Sequence, residues 1–292
     1  MKFSGAYTAL VTPLKNGGID EAAYRAHIEW QIEQGIDGLV PCGTTGESAT
    51  LSHEEHKRAI AICVDQVKKR VPVLAGAGSN NTLEAIALAR HAKEAGSDGV
   101  LLITPYYNKP TQDGLVAHFK AIAAEVNLPT VVYNVPGRTG VNLLPKTVDL
   151  LRRQLPCVIG IKEATGDLRQ ASDVFELCGP EFQLISGDDF TVLPFMALGG
   201  QGVISVVSNI VPAKMAALCR ACSSGDQSKA KALHYELMPL CRGMFLEVNP
   251  VPAKTALAMM GRIQMEVRLP LVAMSQANQT ELKGLLSKAG LI

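Results

Sequence analysis

The stretches EQGIDGLVPCG (33–43) and EAGSDGVLLITP (94–105) decide the fold of this chain. In each, a helical pattern runs out at a glycine, the residue that most readily takes the left-handed conformation closing a helix. A short apolar run of strand length follows within a few residues. Both share the frame Glu-x-Gly-x-Asp-Gly, with Gly38 and Gly99 sixty-one residues apart, a spacing that suits two helix–strand units. ALGGQGVISV (197–206) repeats the cadence a third time.

The same pattern along the chain gives eight candidate strands, near Tyr7–Thr12, Gly38–Pro41, Val73–Gly76, Val100–Ile103, Thr130–Asn134, Val158–Glu163, Gln183–Ser186 and Val203–Val206. Helices are expected between them. Ser52 with Glu55 and Asn81 with Glu84 have the spacing of a capping box and predict two helix starts. Eight strands alternating with helices predict an α/β fold, a (β/α)8 TIM barrel. An open doubly wound sheet would want a Gly-x-Gly-x-x-Gly turn after its first strand, and VTPLKNGGID (11–20) does not supply it. From about Val211 onward the chain is rich in Ala, Leu, Met and Lys. It reads as the last barrel helix followed by a helical appendix, dividing the chain into a barrel at 1–224 and a C-terminal helical domain at 225–292.

Composition narrows the function. The 292 residues are 47% hydrophobic, and 28 basic against 27 acidic side chains leave a formal charge of +1. That balance argues against a nucleic-acid surface or a basic membrane-binding face. The longest apolar runs are strand-length and no signal pattern precedes Tyr7, so a soluble, cytoplasmic protein is expected. Seven cysteines, an odd number in mostly apolar surroundings, predict reduced thiols rather than disulfides. Cys219 and Cys222 have CxxC spacing but lie in a helical pattern with no second ligand pair, which favours a plain helical pair over a metal site.

VIGIKEATGD (158–167) puts an ammonium group at the end of an apolar strand. Active sites in this fold gather at the carboxyl ends of the strands. There also fall Gly43-Thr44-Thr45-Gly46-Glu47, Thr104-Pro105-Tyr106-Tyr107-Asn108, Tyr133-Asn134, Ser186-Gly187-Asp188 and Ser205. A lysine inside a barrel has a specific use: its amine attacks a carbonyl to form a Schiff base, an electron sink needing no metal or cofactor. The plainer reading is an ion pair of Lys162 with Glu163, although neighbouring strand residues point to opposite faces. Imine chemistry needs a proton carrier, and Tyr133, Thr44 and Tyr107, from three strand ends, can form a hydroxyl chain. Arg138 in NVPGRTG (134–140) can pair with a substrate carboxylate or form a surface ion pair.

GTTGES (43–48), TPYYNKP (104–110), YNVPGRTG (133–140), GIKEATGD (160–167), SGDD (186–189) and EVNPVPAK (247–254) resemble the signatures of the dihydrodipicolinate synthase family, over essentially the whole chain. GTTGE and the strand-six lysine are shared with the wider pyruvate-dependent aldolases, including N-acetylneuraminate lyase; Arg138 and TPYYN select the synthase. The resemblance implies that Lys162 forms the imine with pyruvate and that Tyr133 carries protons. Thr44 and Tyr107 would complete the relay, Tyr107 reaching into the neighbour's site across a tight dimer. Thr45 would bind the pyruvate carboxylate, Gly187 and Ile204 would offer backbone groups near the imine, and Arg138 would recognise L-aspartate 4-semialdehyde. It implies a place in diaminopimelate and lysine biosynthesis, no cofactor or metal, and a homo-oligomer, usually a tetramer of two tight dimers. It also implies feedback inhibition by L-lysine at Ser48, Ala49, His53, His56, Asn80, Glu84 and Tyr106. His53 and His56 have the spacing of half a metal site, with no third ligand beside them.

Two rival readings share these residues. An aldolase acting on a sugar-derived 2-keto acid would use Lys162, Tyr133 and GTTGE, and a keto-acid-binding barrel would bind without turnover. A phosphate-handling barrel is disfavoured, because SGDDF places acids, and SVVSN no glycine, where backbone amides and glycines are wanted.

Overall fold

The computed structural model describes residues 2–292 and closes all eight expected strands into one parallel sheet. They are β1 (Gly5–Ala9), β2 (Gly38–Val40), β3 (Leu74–Gly76), β4 (Gly99–Ile103), β5 (Thr130–Asn134), β6 (Val158–Glu163), β7 (Gln183–Ser186) and β8 (Gly202–Ser205). Neighbours run β2-β1-β8-β7-β6-β5-β4-β3, and a bridge from Leu39 to Val73 joins the two ends. The barrel is therefore shut.

β1 lies earlier than expected. It ends at Ala9, and past Leu10, whose N–H reaches the Val40 carbonyl at 3.0 Å, the chain turns off into a small hairpin of Leu14–Lys15 and Gly18–Ile19. The alternation of side chains along each strand sorts the apolar residues into two cores. Phe3, Tyr7, Leu74, Leu101, Val131, Ile185 and Ile204 fill the barrel, while a second cluster packs the outer strand faces against the helices.

Of the two expected capping boxes, one forms. Ser52 accepts from Glu55 N–H, and the Glu55 side chain accepts from Ser52 N–H, opening the helix His53–Val67. Asn81 does cap Thr82–Glu94, through Leu83 N–H, but Glu84 turns away to the Ser79 hydroxyl and His53. Two better partners outcompete the backbone.

Helix Pro212–Ser223 completes the barrel, and Gln227–Gly243, Val251–Met259 and Gln276–Lys288 follow. These last three contribute Leu237, Leu240, Leu257, Leu282 and Leu286 to the same core that holds the barrel helices. All seven cysteines are free thiols, five of them buried and Cys157 and Cys222 half-buried. Among the described residues no helix is long and apolar enough to cross a membrane.

Glu47 and Lys254, both fully buried, form an ion pair between the turn after β2 and helix Val251–Met259. Arg268 reinforces it, its N–H donating to Glu47 at 3.1 Å while its guanidinium holds Glu55 and the Thr50 carbonyl. Removing one member of such a pair strands the other charge without water. Lys254→Met is accordingly expected to lose about 3–5 kcal/mol in urea unfolding. A loss within experimental error would show the pair to be dispensable.

Candidate active site

Tyr133 on β5 and Lys162 on β6 are direct partners across the parallel ladder. Partners in register present their side chains to the same face, so both enter the barrel. Lys162 is 7% exposed, and its Nζ lies over the Tyr133 ring, 4.1 Å from the centroid. Glu163 faces the other way. It accepts from Asn134 Nδ2 at 3.0 Å, Gln170 Nε2 at 2.8 Å and the Thr165 N–H at 2.8 Å, so it is no partner for the lysine. Among the described residues Lys162 makes no salt bridge.

Gly187, after β7, keeps space open at that amine. A Cβ there would stand 2.9 Å from Lys162 Cε and 2.5 Å from Ala164 Cβ, so no other residue fits without a shift. The Gly187 N–H is taken by the Glu163 carbonyl at 2.7 Å. Ile204 on β8 is buried in the barrel core that also holds Ile185 and Tyr133. The loop that follows is tied down by Asp189, whose buried carboxylate accepts the N–H groups of Val206 and Val207 at 3.0 and 2.9 Å. Burial pushes that carboxyl above the usual range, and the hydrogen bond to Ser205 together with these backbone donors opposes the shift.

A cavity of about 380 Å³ reaches this region at Tyr133. Thr44, Tyr133 and Arg138 line it, and so do Ser48, Ala49, His53, His56, Glu84 and Tyr106. Residues expected in two separate sites thus share one continuous space. Thr44 and Tyr133 use their side-chain hydroxyls in no hydrogen bond among the described residues, so both are free for a ligand. Arg138 sits in the short helix Pro136–Thr139, with Nη2 3.4 Å from the Asn249 carbonyl. It forms no ion pair among the described residues, which leaves its charge for a bound anion.

Some expected site residues lie off that cavity wall. Lys162, Thr45, Gly187, Ile204 and Asn80 are not among its lining residues. Lys162 stands behind Tyr133, and Thr45 is buried, accepting a hydrogen bond from Asn249 Nδ2 at 3.0 Å. Asn80 is half-buried, and its carbonyl accepts from Asn108 Nδ2. Tyr107 is 89% exposed, with φ +72° and its N–H reaching the Thr139 carbonyl at 3.3 Å, and it stays outside the cavity of its own chain.

At the far end of the cavity, the Ser79 hydroxyl, with His53 adding to it, holds the Glu84 carboxyl below the usual carboxylate range. His56 donates Nε2–H to the Gly76 carbonyl at 2.8 Å, and burial lowers its basicity. The two histidines are thus engaged separately. Among the described residues no group of three or more His, Cys, Asp or Glu side chains is placed to hold a metal ion. Cys42 is buried with Sγ donating to the His56 carbonyl at 3.5 Å, and burial pushes its thiol up, away from the reactive thiolate.

Asn249 and Lys254 lie outside the expected site residues, and Glu47 enters them only as the end of the GTTGE turn. The sequence signal was there in EVNPVPAK (247–254), but its meaning depends on a contact with Thr45 across 204 residues.

The model of the dihydrodipicolinate synthetase family matches residues 2–289. A 4-hydroxy-tetrahydrodipicolinate synthase of Oleidesulfovibrio alaskensis is 68% identical over 292 residues, all of both chains. A dihydrodipicolinate synthase of Acinetobacter baumannii complexed with pyruvate superposes with TM-score 0.97 at 44% identity, covering 100% of each chain. A homologue from Cyanidioschyzon merolae with lysine bound gives TM-score 0.96 at 37% identity over 99% of each. With full-length sequence identity and the same barrel, the chain belongs to the dihydrodipicolinate synthetase family.

Proposed function

We propose that the chain is a lyase of the class I aldolase type that condenses pyruvate with L-aspartate 4-semialdehyde, as a 4-hydroxy-tetrahydrodipicolinate synthase of diaminopimelate and lysine biosynthesis. The observation that carries this reading is Lys162 inside the barrel, free of Glu163 and in contact with Tyr133. Its amine adds to C2 of pyruvate, and loss of water leaves a protonated imine. Removal of a C3 proton gives the enamine, whose C3 attacks the aldehyde carbon of the second substrate while a proton goes to the new alkoxide. The amine of the adduct then adds to C2 and expels Lys162 as the ring closes. The imine serves as the electron sink, so the chemistry calls on no metal or cofactor.

Tyr133 would carry the protons, with Thr44, which lines the same cavity, completing the hydroxyl chain. Thr45 would hold the pyruvate carboxylate, with Gly187 and Ile204 bounding the imine. Arg138 would receive the carboxylate of the second substrate. That role favours the synthase over a sugar-acid aldolase or a keto-acid-binding barrel. The seven free thiols support a reducing, cytoplasmic setting. The initial rate of pyruvate consumption with L-aspartate 4-semialdehyde tests the assignment. It is expected to fall by about 10³-fold or more in Lys162→Ala. Well-folded protein with no acceptor-dependent rate would overturn it.

Tyr107 would complete the proton chain in a neighbouring subunit, making the active unit at least a tight dimer and, as is usual in the family, half of a tetramer. Its exposure supports this, since a tyrosine left 89% open in one chain has its ring available to another. Co-expressing Lys162→Ala with Tyr107→Phe chains separates the possibilities. If Tyr107 crosses, mixed dimers regain one intact site and activity recovers to about a quarter of wild type. If Tyr107 served its own chain, the mixture would be as inactive as either parent.

L-Lysine would inhibit at the far end of the shared cavity, its ammonium displacing His53 or Ser79 from Glu84. Ser48, Ala49, His56, Asn80 and Tyr106 would surround it. Titrating the condensation with L-lysine is expected to show inhibition that weakens about tenfold in Glu84→Gln with the pyruvate KM unchanged. Equal inhibition of both proteins would contradict the site.

A further inference from the structure

Thr45, in the turn after β2, and Asn249, just before helix Val251–Met259, meet although 204 residues apart. A threonine hydroxyl carries one proton and two lone pairs. In this pair the Asn249 amide donates from Nδ2 to Thr45 Oγ1 at 3.0 Å. The amide occupies an acceptor site on that oxygen and leaves the hydroxyl proton free to point elsewhere. Such a hydroxyl is set as a donor, the form an anion needs.

The contact does not stand alone. Glu47, two residues beyond Thr45, pairs with Lys254, five residues beyond Asn249, and both side chains are fully buried. Buried ion pairs contribute little net stability relative to apolar packing, and fixing register is their best-attested use. Here the pair clamps the GTTGES turn to the start of helix Val251–Met259. Glu47 also holds φ at +54°, a conformation side chains rarely adopt, which its contacts to Lys254 and the Arg268 N–H maintain. The Asn249 carbonyl meanwhile faces Arg138 Nη2 at 3.4 Å. One residue of the C-terminal segment therefore touches two groups assigned to substrate carboxylates.

We infer that Asn249 is a positioning residue for pyruvate recognition: its amide directs the Thr45 hydroxyl proton toward the pyruvate carboxylate, and the Glu47–Lys254 pair keeps the two residues in register. This rests on the assignment of Thr45 to that carboxylate. Asn249 acts through Thr45 and touches no reacting atom.

A double-mutant cycle on the full-length enzyme tests it, reading pyruvate KM and kcat for wild type, Thr45→Val, Asn249→Leu and the double variant. Asn249→Leu removes the donor at similar size and without adding charge. It is expected to raise the pyruvate KM about tenfold, with kcat and L-lysine inhibition little changed. In the Thr45→Val background the same substitution is expected to change KM no further. An unchanged KM in Asn249→Leu, or an equal rise with and without the Thr45 hydroxyl, overturns the inference. An unchanged KM in Thr45→Val would instead refute the carboxylate assignment beneath it. If Asn249→Leu does not fold, Asn249→Ala is read through the same cycle.

Discussion

A buried ammonium group needs a partner, and this chain buries two lysines that meet the need in different ways. Lys254 is closed against Glu47 and joins the C-terminal helices to the turn after β2. Lys162 has no carboxylate beside it; the strand period sends Glu163 to the outer face, and what Lys162 meets is the ring of Tyr133. The first lysine joins two parts of the fold, and the second is the one proposed to react. Both arrangements depend on closure of the barrel, because only the β5–β6 register brings Tyr133 and Lys162 side by side.

The C-terminal helices are more than an appendix to that barrel. Lys254 on helix Val251–Met259 reaches Glu47, and the connecting segments supply Asn249 to Thr45 and Arg138, and Arg268 to the helix cap at Glu55. The turn after β2 is thereby held from both sides. Three residues near the cavity, Cys42, Glu47 and Tyr107, carry positive φ without being glycine. Such conformations persist where surrounding contacts determine them. The same cavity joins Tyr133 and Arg138 at one end to His53 and Glu84 at the other, so a ligand at either end alters the walls of a shared space.

The barrel was legible in the sequence because its signals are local. Glycines ending helices, apolar runs of strand length and the alternation of elements all lie within short windows, and every strand but the first appears where those windows place it. The errors came from competition. The start of the chain stays apolar past Ala9, yet the backbone leaves the ladder for a hairpin that local pattern does not announce. Glu84 has the spacing to complete a capping box, but Ser79 and His53 claim it. Lys162 could be singled out as an ammonium in an apolar strand, and its separation from Glu163 followed from strand geometry. Asn249 and Lys254 could not be given roles in the same way, since their partners lie some two hundred residues away.

Because the two buried lysines differ in their partners, the most direct test asks which one reacts. Borohydride reduction in the presence of pyruvate, followed by mass mapping of the peptides, locates the trapped imine. The account predicts a single adduct on Lys162 and none on Lys254. An adduct on Lys254, or none on either lysine in folded protein, would contradict it.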